Sequence, residues 1–371
     1  MVNTERVLKE FFELVQVPCS TKNERQIADI LKGKLAALGL EVQEDNTGEK
    51  IGGNAGNVFG FLKGNVAGPC LLLSAHMDCV EPCTGIKPQL KDGIITSDGT
   101  TILGSDDKSG VVAILEALRV VKEQKLQHSD IQVLFTVSEE GGVNGSKNMD
   151  KSLLKADFGY ALDSSGTPGE IIVMAPGQYK ITTVVKGRTA HAGLAPETGL
   201  NAITLAAKAI AAVSQGRIDE ETTANVGIIN GGTATNVVPD NVKIISEARS
   251  RNPEKLEKQL KLMVETFESV VKENGGEVEI TTAKAYNPYV LQETDPVIQT
   301  AKKAIEAIGL QAKTKATGGG SDANFINSYG VPCAVLATGM TKVHTKEEYI
   351  KEEHLYDTAR VVVSIIKNVV K

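Results

Sequence analysis

Four times in the first half of this chain a carboxylate or an imidazole stands where an apolar run ends or a helix begins. Ser74-Ala75-His76-Met77-Asp78 closes the run Leu71-Leu72-Leu73. Gly104-Ser105-Asp106-Asp107-Lys108-Ser109-Gly110 opens a segment rich in Val, Ile, Leu and Ala. Glu139-Glu140-Gly141-Gly142 follows Val133-Leu134-Phe135-Thr136-Val137, and Asp163 follows Tyr160-Ala161-Leu162. Short apolar strands alternating with helices predict an α/β layer around a largely parallel sheet. In such sheets ligands gather beyond the carboxyl ends of the strands, which is where all four motifs fall.

The periodicity predicts amphipathic helices over residues 4–17 and 23–38, the second ending at Gly39. Strands are expected at 57–62, 70–74, 132–137 and 158–162, with a buried helix over 109–121. From Gln178 to Pro288 the pattern changes. Strands at 179–186, 224–229, 241–248 and 277–282 alternate with helices at 200–214 and 253–273, the β-α-β-β-α-β order of a ferredoxin-like unit. A helix at 297–308, a strand at 331–337 and a helix at 352–369 then resume the first pattern. Residues 1–177 and 289–371 therefore read as one domain, and 178–288 as a second domain inserted into it.

The 371 residues suffice for two or three domains. A net charge of −6 argues against nucleic acid as a partner. No apolar stretch approaches the roughly 20 residues that span a bilayer, and the first residues lack a signal-peptide layout. Five scattered cysteines fit a reducing cytoplasm better than a disulfide framework.

Each motif has a plainer reading. His76 and Asp78 at a strand end suit a metal ligand and the carboxylate that orients it, or simply a histidine satisfied by backbone. Asp106 and Asp107 suit a cation bridge, or ordinary helix capping by Asp107 or Ser109. Glu139 and Glu140 suit a general base beside a ligand, or a solvated turn. Asp163 suits a ligand or a turn, and His344 has no local motif. Cys79 and Cys83, close to His76, offer a competing thiolate reading, although a dinuclear hydrolytic site favours oxygen ligands. His128 and His354 lie in polar stretches and are expected to be exposed and inert.

In this order, the HxD, GxDD-K-x-G, EE-GG, strand-ending Asp and late His resemble the dizinc co-catalytic exopeptidases. That family includes peptidase T, the aminoacylases, carboxypeptidase G and the succinyl-diaminopimelate desuccinylases. The segment Ser97–Lys108 and the Asp at position 163 look most like the peptidase T subgroup. The resemblance covers nearly the whole chain and implies two Zn²⁺ per chain, with Co²⁺ or Mn²⁺ as alternatives. His76 and Asp163 would hold one ion, Glu140 and His344 the other, and Asp106 would bridge them. Asp78 would orient His76, and Glu139 would be the general base. His191, in Gly187-Arg188-Thr189-Ala190-His191, matches a lid histidine that polarises the scissile carbonyl. Asn236 and Arg249 match lid residues that contact substrate, and Gly319-Gly320-Ser321 matches a Gly-rich loop beside the site. Where peptidase T has an arginine just before that Gly-Gly, this chain has Gly318, which removes a natural clamp for a substrate carboxylate.

The resemblance implies a cytoplasmic metallo-aminopeptidase acting on short peptides, with the inserted domain as its lid and as the contact of a homodimer. A dipeptidase, a carboxypeptidase or an N-acyl-amino-acid deacylase of the same family is the nearest alternative. A non-catalytic metal-binding assembly protein is a remoter one.

Overall fold

A computed structural model describes residues 1–370 and divides into two compact units. The larger comprises Met1–Val173, Leu291–Ala316 and the chain from Ser321 onward; the smaller comprises Met174–Val290 and Thr317–Gly320.

The sheet of the larger unit runs in the order Glu41–Glu44, Val58–Leu62, Ile131–Thr136, Leu71–His76, Phe158–Ser164, Cys333–Ala337 and Glu170–Ala175. Its four central strands, from Ile131–Thr136 to Cys333–Ala337, are mutually parallel. The outer strands pair antiparallel. Ile131–Thr136 and Leu71–His76 are buried at every position, as strands covered on both faces must be. The helix Ser105–Gln124 is buried almost throughout. It packs on Leu71–His76 and Phe158–Ser164 on one side and on helices Thr4–Val15 and Glu352–Val369 on the other, so it has little need of a polar face. Because the central strands are parallel, the chain leaves each of them at the same edge of the sheet. His76, the Ser138–Gly142 turn, Asp163 and the loop to His344 all lie there.

Helix Arg25–Leu38 stops where expected. Gly39 takes φ +94°, and its N–H bonds back to Ala36 and Leu35. Other ends differ by a few residues for local reasons. The helix read over 200–214 spans Ala202–Ala212 because Asn201 caps the N–H groups of Ile203 and Thr204. The strands Glu41–Glu44, Glu170–Ala175 and Lys313–Ala316 were not anticipated. His128 corrects an expectation: it is buried, and its ring Nδ1 donates to the Ser129 carbonyl at 2.9 Å. The polar sequence around it concealed a histidine satisfied by its neighbour's backbone.

In the smaller unit the sheet order is Gly216–Arg217, Thr222–Gly231, Asn241–Ser250, Gly177–Lys186 and Glu277–Tyr286, antiparallel throughout. Helices Ala202–Ala212 and Pro253–Glu273 pack on it. Ile181, Val185, Ala206, Val242, Ile244 and Phe267 are among the side chains that fill the space between. Asn241–Ser250 alternates buried and accessible residues, the pattern of a sheet covered on one face. Among the described residues no helix is long and apolar enough to cross a membrane.

Candidate metal centre and active site

His76 ends its strand with its side chain almost wholly buried. Its backbone N–H donates to Asp107 Oδ2 at 3.2 Å. The ring Nδ1 lies 3.0 Å from the Asp78 carbonyl oxygen and 3.5 Å from the Asp78 carboxylate. A carbonyl can only accept, so a proton sits on Nδ1 and Nε2 is turned inward; burial opposes charge on the ring, but Asp106 and Asp78 outweigh it and raise its pKa well above the usual imidazole range. Nε2 faces Asp106 Oδ1 at 3.0 Å and Asp163 Oδ1 at 3.9 Å. The other oxygen of Asp106 lies 3.4 Å from His344 Nε2, which is 2.8 Å from Glu140 Oε1. The two oxygens of one carboxylate therefore face two different imidazoles.

Asp106 and Asp107 begin the helix Ser105–Gln124 in non-helical conformations. Asp107 does what the plainer reading expects and more. One oxygen accepts the N–H of Gly110, and the other holds the backbone of His76. Asp78 is fully buried and holds the next motif in place. It accepts the N–H groups of Glu139 and Glu140 at 3.0 and 3.2 Å and the hydroxyl of Thr21 at 2.7 Å. Glu24, also fully buried, accepts the N–H of Ser138 at 3.0 Å. Three successive N–H groups of the Glu139–Glu140 turn are thus fixed by carboxylates from two other segments. Glu24 and Thr21, and the hold of Asp107 on His76, carried no signal in the sequence, because their partners (the Ser138 N–H, the Asp78 carboxylate and the His76 N–H) are distant in the chain.

Burial raises the pKa of Glu139 well above the usual carboxylate range, and the negative charge of Asp163 adds to this. Asp163 and Asp107 are raised in the same way, first by burial and then by like charges nearby. Asp106 goes the other way: burial opposes its ionisation, but His344 and His76 more than offset that and hold it below the usual range. Asp106 and Glu140 raise His344 to about 10. Were all the carboxyl groups around the two imidazoles ionised, they would leave an excess of negative charge, which divalent cations would neutralise. Glu140 Oε1 is buried and faces His344 Nε2 at 2.8 Å. Single donor atoms of His76, Asp106 and Glu140 lie within 4.8 Å of one another, as do those of His76, Asp107 and Asp163. Imidazole nitrogens and hard carboxylate oxygens suit zinc or a similar ion.

Neither cysteine joins these groups among the described residues. Cys79 Sγ donates to the Asp106 carbonyl at 3.4 Å and lies 3.3 Å from the buried Lys108 Nζ. Burial pushes the Cys83 thiol up to about 11.

In the smaller unit His191 is exposed. Its Nδ1 accepts the N–H groups of Gly193 and Leu194, both at 3.2 Å, which leaves Nε2–H as a free donor. Asn236 lies alongside, its carbonyl accepting the N–H of Ala192 at 2.9 Å. Arg249 is already engaged, with Nε and Nη2 on the two oxygens of Glu247 at 2.9 and 3.1 Å. The Gly319 N–H meets Thr317 Oγ1 at 3.2 Å. At Gly320 a Cβ would fall 2.3 Å from the Tyr286 ring, so no larger residue fits without displacing it. Ser321, in the larger unit, starts helix Asp322–Ser328, and its N–H donates to Asn324 Oδ1.

A parallel-centred sheet that gathers two histidines and several acids at one edge defines a metal-dependent hydrolase. Residues 72–368 match Peptidase family M20/M25/M40, and the chain belongs to that family. It is similar to the aminopeptidase PepT from Bacillus cereus, with 47% identity, a TM-score of 0.92 and full coverage of both chains. It is also similar to a tripeptidase from Staphylococcus aureus, with 44% identity and a TM-score of 0.96 over 100% of this chain and 99% of that one. An uncharacterized protein of Bacillus subtilis, YqjE, is 46% identical over the full length of both chains.

Proposed function

We propose that this chain is a dimetal aminopeptidase that removes N-terminal residues from short peptides, in keeping with the similar aminopeptidase and tripeptidase. The observation that carries the site assignment is Asp106, whose two oxygens face His76 and His344 separately. His76 and Asp163 would hold one ion, Glu140 and His344 the other, with Asp106 between them. Two ions so placed would act as Lewis acids on the scissile carbonyl and make the attacking water easier to deprotonate.

The remaining chemistry belongs to the chain's own groups. Glu139 takes the proton of the attacking water and passes it to the leaving amine. Its raised pKa suits both halves of that exchange. Asp78 holds Glu139 and Glu140 by its carboxylate and the His76 Nδ1–H by its backbone carbonyl, so one residue sets the geometry of base and ligands together. His191 presents Nε2–H to the carbonyl oxygen as negative charge develops there. Asn236 and Arg249 would contact the peptide, and Gly319, Gly320 and Ser321 would border it.

The β-α-β-β-α-β order of residues 178–288 supports a ferredoxin-like lid and dimerisation domain, with 1–177 and 289–371 forming the catalytic domain. The scattered cysteines, all free, agree with a cytoplasmic setting. A panel of di- and tripeptides, each with a free and an acetylated N-terminus, tests the activity. Hydrolysis confined to free N-termini is expected. A preference for the acetylated series would make the chain a deacylase instead.

A further inference from the structure

Glu348 lies four residues beyond His344 and has no part in the chemistry described above. It is almost fully buried, whereas His344 through Glu347 are exposed. One carboxylate oxygen accepts the N–H groups of Leu103 and Gly104, both at 2.8 Å. The other accepts the Ser105 hydroxyl at 2.6 Å and the N–H of Asp106 at 3.1 Å. Four donors fill the lone pairs of the carboxylate, and all four come from the segment that delivers Asp106. On its own side, the Glu348 N–H donates to the Thr345 carbonyl at 3.1 Å, closing the turn just after His344. His344 has φ +63°, a conformation that a residue with a side chain holds only under constraint from its surroundings.

We propose that Glu348 is a positioning residue: it latches the His344 loop to the Asp106 segment and thereby sets the affinity of the metal ion that His344 holds. The latch rests on the two-metal reading above. Asp106 would serve both ions and His344 only one, so loosening the link between them falls hardest on the His344 ion. An apolar residue could bury as much surface here but would leave three N–H groups and a hydroxyl without partners.

The test is a titration of metal-free protein with Zn²⁺ or Co²⁺ alone, comparing wild type with Glu348→Gln and Ser105→Ala. Glu348→Gln sets an amide NH₂ against the Asp106 N–H or Ser105, and Ser105→Ala deletes one bond of the four. In Glu348→Gln the weaker of two binding steps should lose at least about tenfold in affinity, the reach of a residue that orients a ligand. The tighter step should change far less. Ser105→Ala should shift the same step by less, so the latch remains testable if Glu348→Gln folds poorly. With metal in excess, kcat of Glu348→Gln should return toward wild type. Adding Glu348→Gln to His344→Ala should weaken metal binding no further. A lowered melting temperature with both binding steps unchanged would make Glu348 a structural anchor and overturn the proposal. A wild-type protein that binds a single ion would instead remove the two-metal reading, and the latch with it.

Discussion

In the larger unit the polar side chains of the site, His344 apart, are buried or half-buried and already committed to one another; in the smaller unit the candidate residues are exposed or engaged locally. Asp78 is fully buried and spends its acceptors on Thr21, Glu139 and Glu140. His191 is exposed, and its free donor, Nε2–H, has no role until something is presented to it. Both candidate metal groups among the described residues fall in the larger unit. On the proposed reading, the difference separates two tasks. Ligands and base must be organised before substrate arrives, since a misplaced buried charge is costly. A residue that acts on charge appearing only in the transition state can wait in water.

The strongest way to break this division is at Glu139. Glu139→Gln should lower kcat by about 10²–10⁴-fold while metal content stays near that of wild type. Loss of an ion on this substitution would exchange the roles of Glu139 and Glu140. His191→Ala should cost on the order of 2.7–4 kcal/mol of transition-state stabilisation if it acts as one oxyanion donor. The loss should fall on kcat more than on KM, with both ions retained. Mixing His191→Ala with Glu139→Gln protein sharpens the point. Recovered activity in mixed oligomers would mean that one subunit's histidine serves another's metals. Chelation should raise hydrogen exchange around His76, Asp106 and the Glu139–Glu140 turn and leave the sheet of the smaller unit unaltered. Equal deprotection of both units would contradict a metal centre confined to one.

The smallest expected effect concerns Glu24, whose pKa is pushed up to about 7 by burial and by the charge of Asp78. Below its ordinary 4.5 this carboxyl is protonated both folded and unfolded. Between about 4.5 and 7 the unfolded chain ionises first, so this group's contribution to stability falls as pH rises through that window. Glu24→Gln should remove that decline and raise stability at pH 8 by on the order of 1–3 kcal/mol relative to pH 4. A pH–stability curve identical to wild type would show that Glu24 does not titrate there.

Much of this arrangement was legible before the structure. His76, Asp106, Glu140 and Asp163 each follow a strong apolar run or open a helix, and the parallel pairing of those strands brings their ends to one edge. The elements of the smaller unit were legible for a similar reason: the long helix Pro253–Glu273 and the alternating strand Asn241–Ser250 carry clear periods. His344 had no local pattern and was found only through the resemblance. Glu24, Glu348 and the bond of Asp107 to the His76 N–H were missed because they work mainly on backbone N–H groups, which leave no mark in side-chain chemistry. Glu348 bonds across 245 positions to Leu103. His128 was misread because polar neighbours predict exposure on average, while one carbonyl suffices to satisfy a buried ring.

The most direct test of the two-metal site is elemental analysis of protein purified without chelators, paired with the absorption spectrum of its Co²⁺ form. The account predicts about two ions per chain and no thiolate-to-metal charge-transfer band, as nitrogen and oxygen ligands require. A single tightly held ion with an intense thiolate band would contradict it and transfer the centre to Cys79 or Cys83.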